Sequence, residues 1–155
     1  MATIYLAGGL FNAGERLHNL YLEKHLEKLG HTIILPQREA LKFFKDNEFD
    51  IKGITNDCLY NAANPSIVFV GNTDGADSDS GTCVEYGVAI SNHGHVITYR
   101  TDFRTAIEKE VGVNAMLRVG GTKFIYSPCY FTDLEEVDDF YSALAQKIHE
   151  AILSQ

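Results

Sequence analysis

Two carboxylates six residues apart dominate the chemistry this chain could do. They lie in the run Asp79-Ser-Gly-Thr-Cys-Val-Glu85-Tyr-Gly87, after an apolar stretch, Ile67-Val-Phe-Val-Gly71, and a polar loop, Asn72 to Ser78. That layout predicts a strand, a loop and a helix, with both acids at the carboxyl end of a parallel sheet. Open α/β sheets bind ligands at that end. A carboxylate pair held over a small sugar can supply a nucleophile and an acid/base group. The loop Asp74-Gly-Ala-Asp77-Ser-Asp79 is unusually acidic, and crowded like charges raise a carboxyl pKa, which suits proton transfer. Gly81 and Gly87 leave room beside the helix start.

Structural roles compete for the same residues. Thr82-x-x-Glu85 fits a capping box, and Asp79 or Ser80 fits an N-cap. Asp57, in Thr55-Asn-Asp57-Cys, sits in an amphipathic segment whose N-terminal half should approach the same rim; otherwise it is an exposed helix aspartate. Gly9-x-x-x-x-Gly14 has P-loop spacing, but Glu15-Arg16 follows where Lys-Ser/Thr is required. A dinucleotide fingerprint fails on spacing and on the Leu-Pro-Gln37 that ends the second strand. The glycines, Gly8 among them, then let backbone approach a small or flat ligand. Tyr5, Phe11 and Gln37 would line such a pocket, with two aromatic faces and an amide that both donates and accepts. Plain core packing is the alternative for Tyr5 and Phe11.

The elements that must position these groups alternate. Strands are expected at 3–7, 31–35, 67–70, 95–99 and 123–126. Helices are expected from the Asn12-x-x-Glu15 capping box to Gly30, at 51–63, at 82–91, and from the Thr132-x-x-Glu135 box to the C-terminus. In the first helix Leu17, Leu20, Tyr21, Leu26 and Leu29 recur at helical spacing; in the last, Leu134, Val137, Tyr141, Leu144, Ile148 and Ile152 do so. Residues 38–48 form a charged loop or short helix, and 101–121 a helical or irregular insert. Strand–helix alternation implies right-handed βαβ units. The expected fold is a three-layer α/β sandwich on a five-stranded parallel sheet, flavodoxin-like (Rossmann-like) in topology, as a single domain over residues 1–155.

At 155 residues the chain can bury a core of its own. Thirteen Lys+Arg against 21 Asp+Glu give a net charge of −8, which repels nucleic-acid backbones and anionic membranes. No apolar run approaches the roughly 20 residues of a membrane span, and the start reads as a strand, not a signal peptide. Cys58, Cys83 and Cys129 are scattered, with no zinc spacing, and fit reduced thiols in a cytoplasmic protein. No metal or cofactor is expected.

Ile4-Tyr5-Leu-Ala-Gly8 with Phe11, Pro36-Gln37, Asp57, Asp79-x-Gly81-x-x-x-Glu85-x-Gly87, Thr101-Asp102-Phe103-Arg104 and Asn114-Ala115-Met116 occur in that order. Together they resemble the nucleoside 2-deoxyribosyltransferase family over most of the chain. The resemblance implies a retaining double displacement between 2′-deoxynucleosides and free nucleobases, serving salvage. Glu85 would form a deoxyribosyl ester, Asp79 would exchange a proton with the base, and Tyr5 would orient Glu85. Phe11, Gln37 and Asp57 would hold the base. It further implies a homo-oligomer, hexamer or tetramer, in which Asn114 and Met116 complete a neighbour's site by holding the sugar 5′-hydroxyl; otherwise they are a helix interior with a core methionine. Arg104 and Arg118 keep a 5′-phosphate substrate open. The rivals are a deoxynucleoside 5′-monophosphate N-glycosidase, with water as acceptor, and a non-catalytic nucleotide-binding module in which Glu85 only caps a helix. Two features depart from the family pattern: the C-terminal Leu153-Ser-Gln155 and the Asn64-Pro65 that closes the helix bearing Asp57.

Overall fold

The computed structural model describes residues 1–92, 94–104, 112–118 and 123–154. Strand β1 is Thr3–Ala7, β2 Thr32–Ile34, β3 Phe44–Lys45, β4 Glu48–Phe49, β5 Val68–Asn72, β6 Val96–Arg100 and β7 Lys123–Tyr126. Helix α1 is Ala13–Lys28, α2 Pro36–Glu39, α3 Ile51–Ala63, α4 Ser80–Asn92 and α5 Glu135–Leu153. Five strands make one parallel sheet in the order β2-β1-β5-β6-β7, the flavodoxin-like order once the small β3-β4 ribbon is set aside.

Side chains alternate across the pleat and so feed two cores. Ile4, Leu6, Val68, Val70, Ile97 and Tyr99 face α1 and α5, where Leu22, Leu26, Leu144 and Ile148 meet them. Tyr5, Ala7, Phe69 and Val96 face the other way, against Ala62, Tyr86 and Ala89 of α3 and α4. The second layer carries the site, because Tyr5 belongs to it.

Several expectations need correction. Leu17 and Leu20 are 55% and 44% exposed, while Asn19, Glu23 and His25 are buried in their place. Each buried polar group has a partner: Glu23 takes a bidentate pair from Arg38 at 2.7 and 2.6 Å, and His25 lies 3.1 Å from Asp138. The Asn12/Glu15 capping box forms as expected, and Gly30 takes φ +86° just past α1. The Thr132/Glu135 box does not form. Asp133 accepts from the Glu135 and Glu136 amides instead, and Glu136 reaches back to the Thr132 amide, one residue later than expected.

Residues 38–48 hold more order than a charged loop. α2 runs into a 3₁₀ turn, Ala40–Phe43, and then a two-stranded hairpin. Its turn is Asp46-Asn47, with φ 52° and 64°, the left-handed pair that a tight hairpin requires. Of the 101–121 insert, residues 105–111 and 119–121 lie outside the described residues. Asn114-Ala115-Met116 enters a 3₁₀ turn, so the alternative of a helix-core methionine fails: Met116 is 76% exposed.

Candidate active site

β1 and β5 are adjacent, and the chain leaves them towards opposite edges of the sheet: β1 leads on to β2, β5 to β6. A crevice at such a switch point needs no other device to open it. Here it is a cavity of about 720 Å³ lined by Gly8 and Phe11 after β1, Gln37 of α2, and Asp79, Gly81 and Glu85 at the head of α4. Thr55 and Cys58 of α3 form one wall, and Leu41 and Phe49 close another.

Glu85 does not cap its helix. Asp79 does: its Oδ2 accepts from the Thr82 amide at 2.8 Å and the Thr82 hydroxyl at 2.9 Å, and its carbonyl accepts from the Cys83 amide. Glu85 is therefore free to face the cavity, where the Tyr5 hydroxyl donates to its Oε1 at 2.9 Å. Burial pushes the Glu85 carboxyl up to about 7. The Tyr5 hydroxyl and the Cys58 thiol pull against that, and the neighbouring Asp79 charge adds to it. Burial beside Glu85 also pushes the Tyr5 hydroxyl well up, so it stays a donor.

The acidic loop behaves differently from expectation. The Asp74 carboxylate accepts from the Thr101 and Asp102 amides at 2.6 and 2.8 Å, which occupies it in anchoring the loop. Fully buried Arg100 donates to the Thr73 and Gly75 carbonyls, and Gly75 takes φ +108°. Asp77 lies on a different hollow. Of the loop's three acids, Asp79 is the one whose charge bears on Glu85.

Other residues fall unevenly. Phe11 is 79% exposed at the rim, not core. Gln37 is buried, with its amide partly engaged: Oε1 accepts from Asn19 Nδ2 at 3.0 Å and Nε2 donates to the Arg16 carbonyl at 3.3 Å. Asp57 is not among the cavity's lining residues; its Oδ2 accepts from Asn61 at 3.2 Å, one helical turn along α3. The next residue, Cys58, turns into the cavity instead. Asn114 and Met116 line a separate hollow of about 360 Å³ on another side of α4, with Tyr86 and Gly87. Arg104 is ion-paired with Asp102, and among the described residues the arginine that lines the cavity is Arg16.

Sequence reasoning missed Asn19, Arg16 and Cys58 as parts of the site and placed Thr82 at the wrong end of a cap. Asn19 had a signal, an amide on the inward face of an amphipathic helix; Arg16 and Cys58 had none.

A model of the family "Nucleoside 2-deoxyribosyltransferase" matches residues 4–120, most of the chain and all of the cavity. The chain belongs to the nucleoside 2-deoxyribosyltransferase family. Its fold is also that of three solved structures. One is a conserved protein from Enterococcus faecalis V583, at 23% identity and TM-score 0.69, covering 97% of this chain and 98% of that one. The second is a 2-deoxyribosyltransferase from Bacillus psychrosaccharolyticus, at 23% and 0.58, covering 93% and 96%. The third is a 2-desoxiribosyltransferase from Leishmania mexicana, at 16% and 0.55, covering 92% and 98%. No curated protein matches the chain. Among the described residues of this nucleoside 2-deoxyribosyltransferase, no helix is long and apolar enough to cross a membrane, and no group of three or more His, Cys, Asp or Glu could hold a metal.

Proposed function

We propose that this enzyme moves a 2-deoxyribosyl group from one nucleobase to another through a covalent ester on Glu85. One observation carries the proposal: Glu85 is released from helix capping and held by Tyr5 in the cavity that Asp79 also lines. The ionised Glu85 attacks the anomeric carbon. The N-glycosidic bond breaks, its electron pair goes to the base nitrogen, and the base leaves with a proton from Asp79. The incoming base then attacks the same carbon, gives its proton to Asp79 and displaces Glu85. Two inversions give retention. Asp79 spends Oδ2 on its cap, so Oδ1 is the oxygen left for the base.

A 2′-hydroxyl would withdraw electrons from the oxocarbenium-like transition state and crowd Glu85, which favours 2′-deoxy substrates. Phe11 offers a ring at the rim and Gln37 an amide edge deeper in. Asp57 has no role here, because it stands outside the cavity lining. Asn114 and Met116 serve a second subunit in this proposal: Met116 is exposed, and neither residue lines its own chain's cavity. That makes the working form a homo-oligomer, and its place is nucleobase salvage in the cytoplasm.

Deoxyinosine mixed with free adenine tests the proposal. Deoxyadenosine should appear only when both are present. Hypoxanthine released without a new nucleoside means that water is the acceptor; no reaction with either sinks the catalytic reading.

A further inference from the structure

A side-chain amide can present its oxygen and nitrogen in either order, and at Gln37 two backbone carbonyls settle which. Carbonyls only accept. The Gln37 atom 3.3 Å from the Arg16 carbonyl must therefore be Nε2, and the Asn19 atom 3.0 Å from the Gly9 carbonyl must be Nδ2. Nδ2 then has its second N–H for the other Gln37 atom, 3.0 Å away, which must be Oε1. The chain Arg16 carbonyl, Gln37, Asn19, Gly9 carbonyl closes in one direction only. Reversing the Gln37 amide would set its N–H₂ against the Asn19 N–H₂ and its oxygen against the Arg16 carbonyl. Asn19 and Gln37 are 3% and 6% exposed, so water cannot readily make good the lost bonds.

Gln37 nevertheless lines the cavity and keeps one N–H and one lone pair unspent. We infer that Asn19 is a specificity-determining residue: by locking the Gln37 amide it fixes the donor–acceptor order shown to the base. The inference rests on the proposal that the nucleobase lies against Gln37. A locked edge of one donor beside one acceptor matches the Watson–Crick edge of a 6-aminopurine, whose C6 amino group donates to Oε1 while N1 accepts from Nε2. A 6-oxopurine shows the reverse order on that edge, with a C6 oxygen facing Oε1 and an N1–H facing Nε2. If the amide could turn freely, it would meet either order. Asn19 touches no base itself and acts through Gln37.

The test uses Asn19→Leu, Gln37→Ala and the double variant. The first readout is hydrogen exchange of the Gln37 side-chain amide by NMR, which needs no ligand. Exchange should be slow in the native protein and at least about tenfold faster in Asn19→Leu; equal rates overturn the lock whether or not any base binds. The second is the ratio of adenine to hypoxanthine affinity, measured by calorimetry on the free bases. Asn19→Leu should bring that ratio about tenfold closer to unity, and Gln37→Ala should abolish the effect of Asn19→Leu. A ratio change of equal size in both backgrounds makes Asn19 merely structural and overturns the inference. If neither base binds the native protein, the base-site proposal fails, while the exchange measurement still decides the lock. Asn19→Ser, which keeps a donor in a smaller side chain, should restore slow exchange if Asn19→Leu proves too unstable to study.

Discussion

Glu85 holds its proton more tightly in the folded chain than an ordinary glutamate does, and both activity and stability should show it. Its carboxyl is pushed from 4.5 up to about 7 by burial. A nucleophilic carboxylate must be ionised, so turnover should fall as pH drops through about 7. Tyr5→Phe removes a donor to the charged form, so this limb should move to higher pH and the rate should fall roughly tenfold or more. Glu85→Gln should lower the rate roughly a thousandfold or more. The sign for stability is opposite. Ionising Glu85 costs the fold as pH rises from about 4.5 to 7, a loss Glu85→Gln avoids. Allowing for partial exposure, the variant should be more stable by about 2 kcal/mol at pH 8 and scarcely at all at pH 4, in urea unfolding. The types at positions 79 and 85 were legible in the sequence, but the division of labour between them was not. Thr82-x-x-Glu85 and Asp79-x-x-Thr82 are both acceptable caps as strings. The choice falls to Tyr5, eighty residues away in sequence, which offers Glu85 a buried hydroxyl.

Among elements, α4 shows how one residue can serve a helix and a reaction. Asp79→Ala should cost about 1 kcal/mol through the lost cap as well as activity. Asp79→Asn keeps an oxygen for the Thr82 amide, so its melting temperature should stay near native while base exchange fails. If both variants melt alike, the cap carries no weight. The hairpin of β3 and β4 was the element least visible in the sequence. Its strands are two residues each, too short for alternation to register, and its signal was confined to Asp46-Asn47 between two phenylalanines. Asn47→Pro forbids φ 64° and should unmake the turn. Phe49 would then leave the cavity wall, and KM should rise with little change in melting temperature, because the hairpin lies outside both cores. Helices and strands with clear apolar periods fell within a few residues of their expected places, although Leu134, expected on the inner face of the last helix, is exposed just ahead of α5. Leu17 and Leu20 did not turn inward, because α1 spends part of its inner face on buried polar contacts that period counting scores as solvent.

At the scale of the molecule, the parallel sheet was implied by alternation alone; right-handed crossovers only narrow its strand order, and the count of five strands pointed to the flavodoxin-like one. In the proposed oligomer, Met116, an exposed apolar side chain beside α4, meets a neighbouring subunit. Met116→Glu should leave the isolated fold intact and yet reduce both assembly size in gel filtration and turnover. Loss of neither would remove the neighbour from the proposal.

The cavity draws its two kinds of lining from different parts of the chain. Most of the lining without a carboxylate, from Gly8 and Phe11 through Gln37 and Phe49 to Cys58, precedes residue 60, whereas both acids arrive together between 79 and 85 with Gly81, Thr82 and Val84. Tyr5 and Cys58 reach from the first group to the second, both to Glu85. On the proposed roles, selectivity and reactivity are written in separable blocks, so recombining the first 59 residues with those of a relative, Tyr5 and Cys58 retained, is a route to new acceptor preferences on unaltered bond-making machinery.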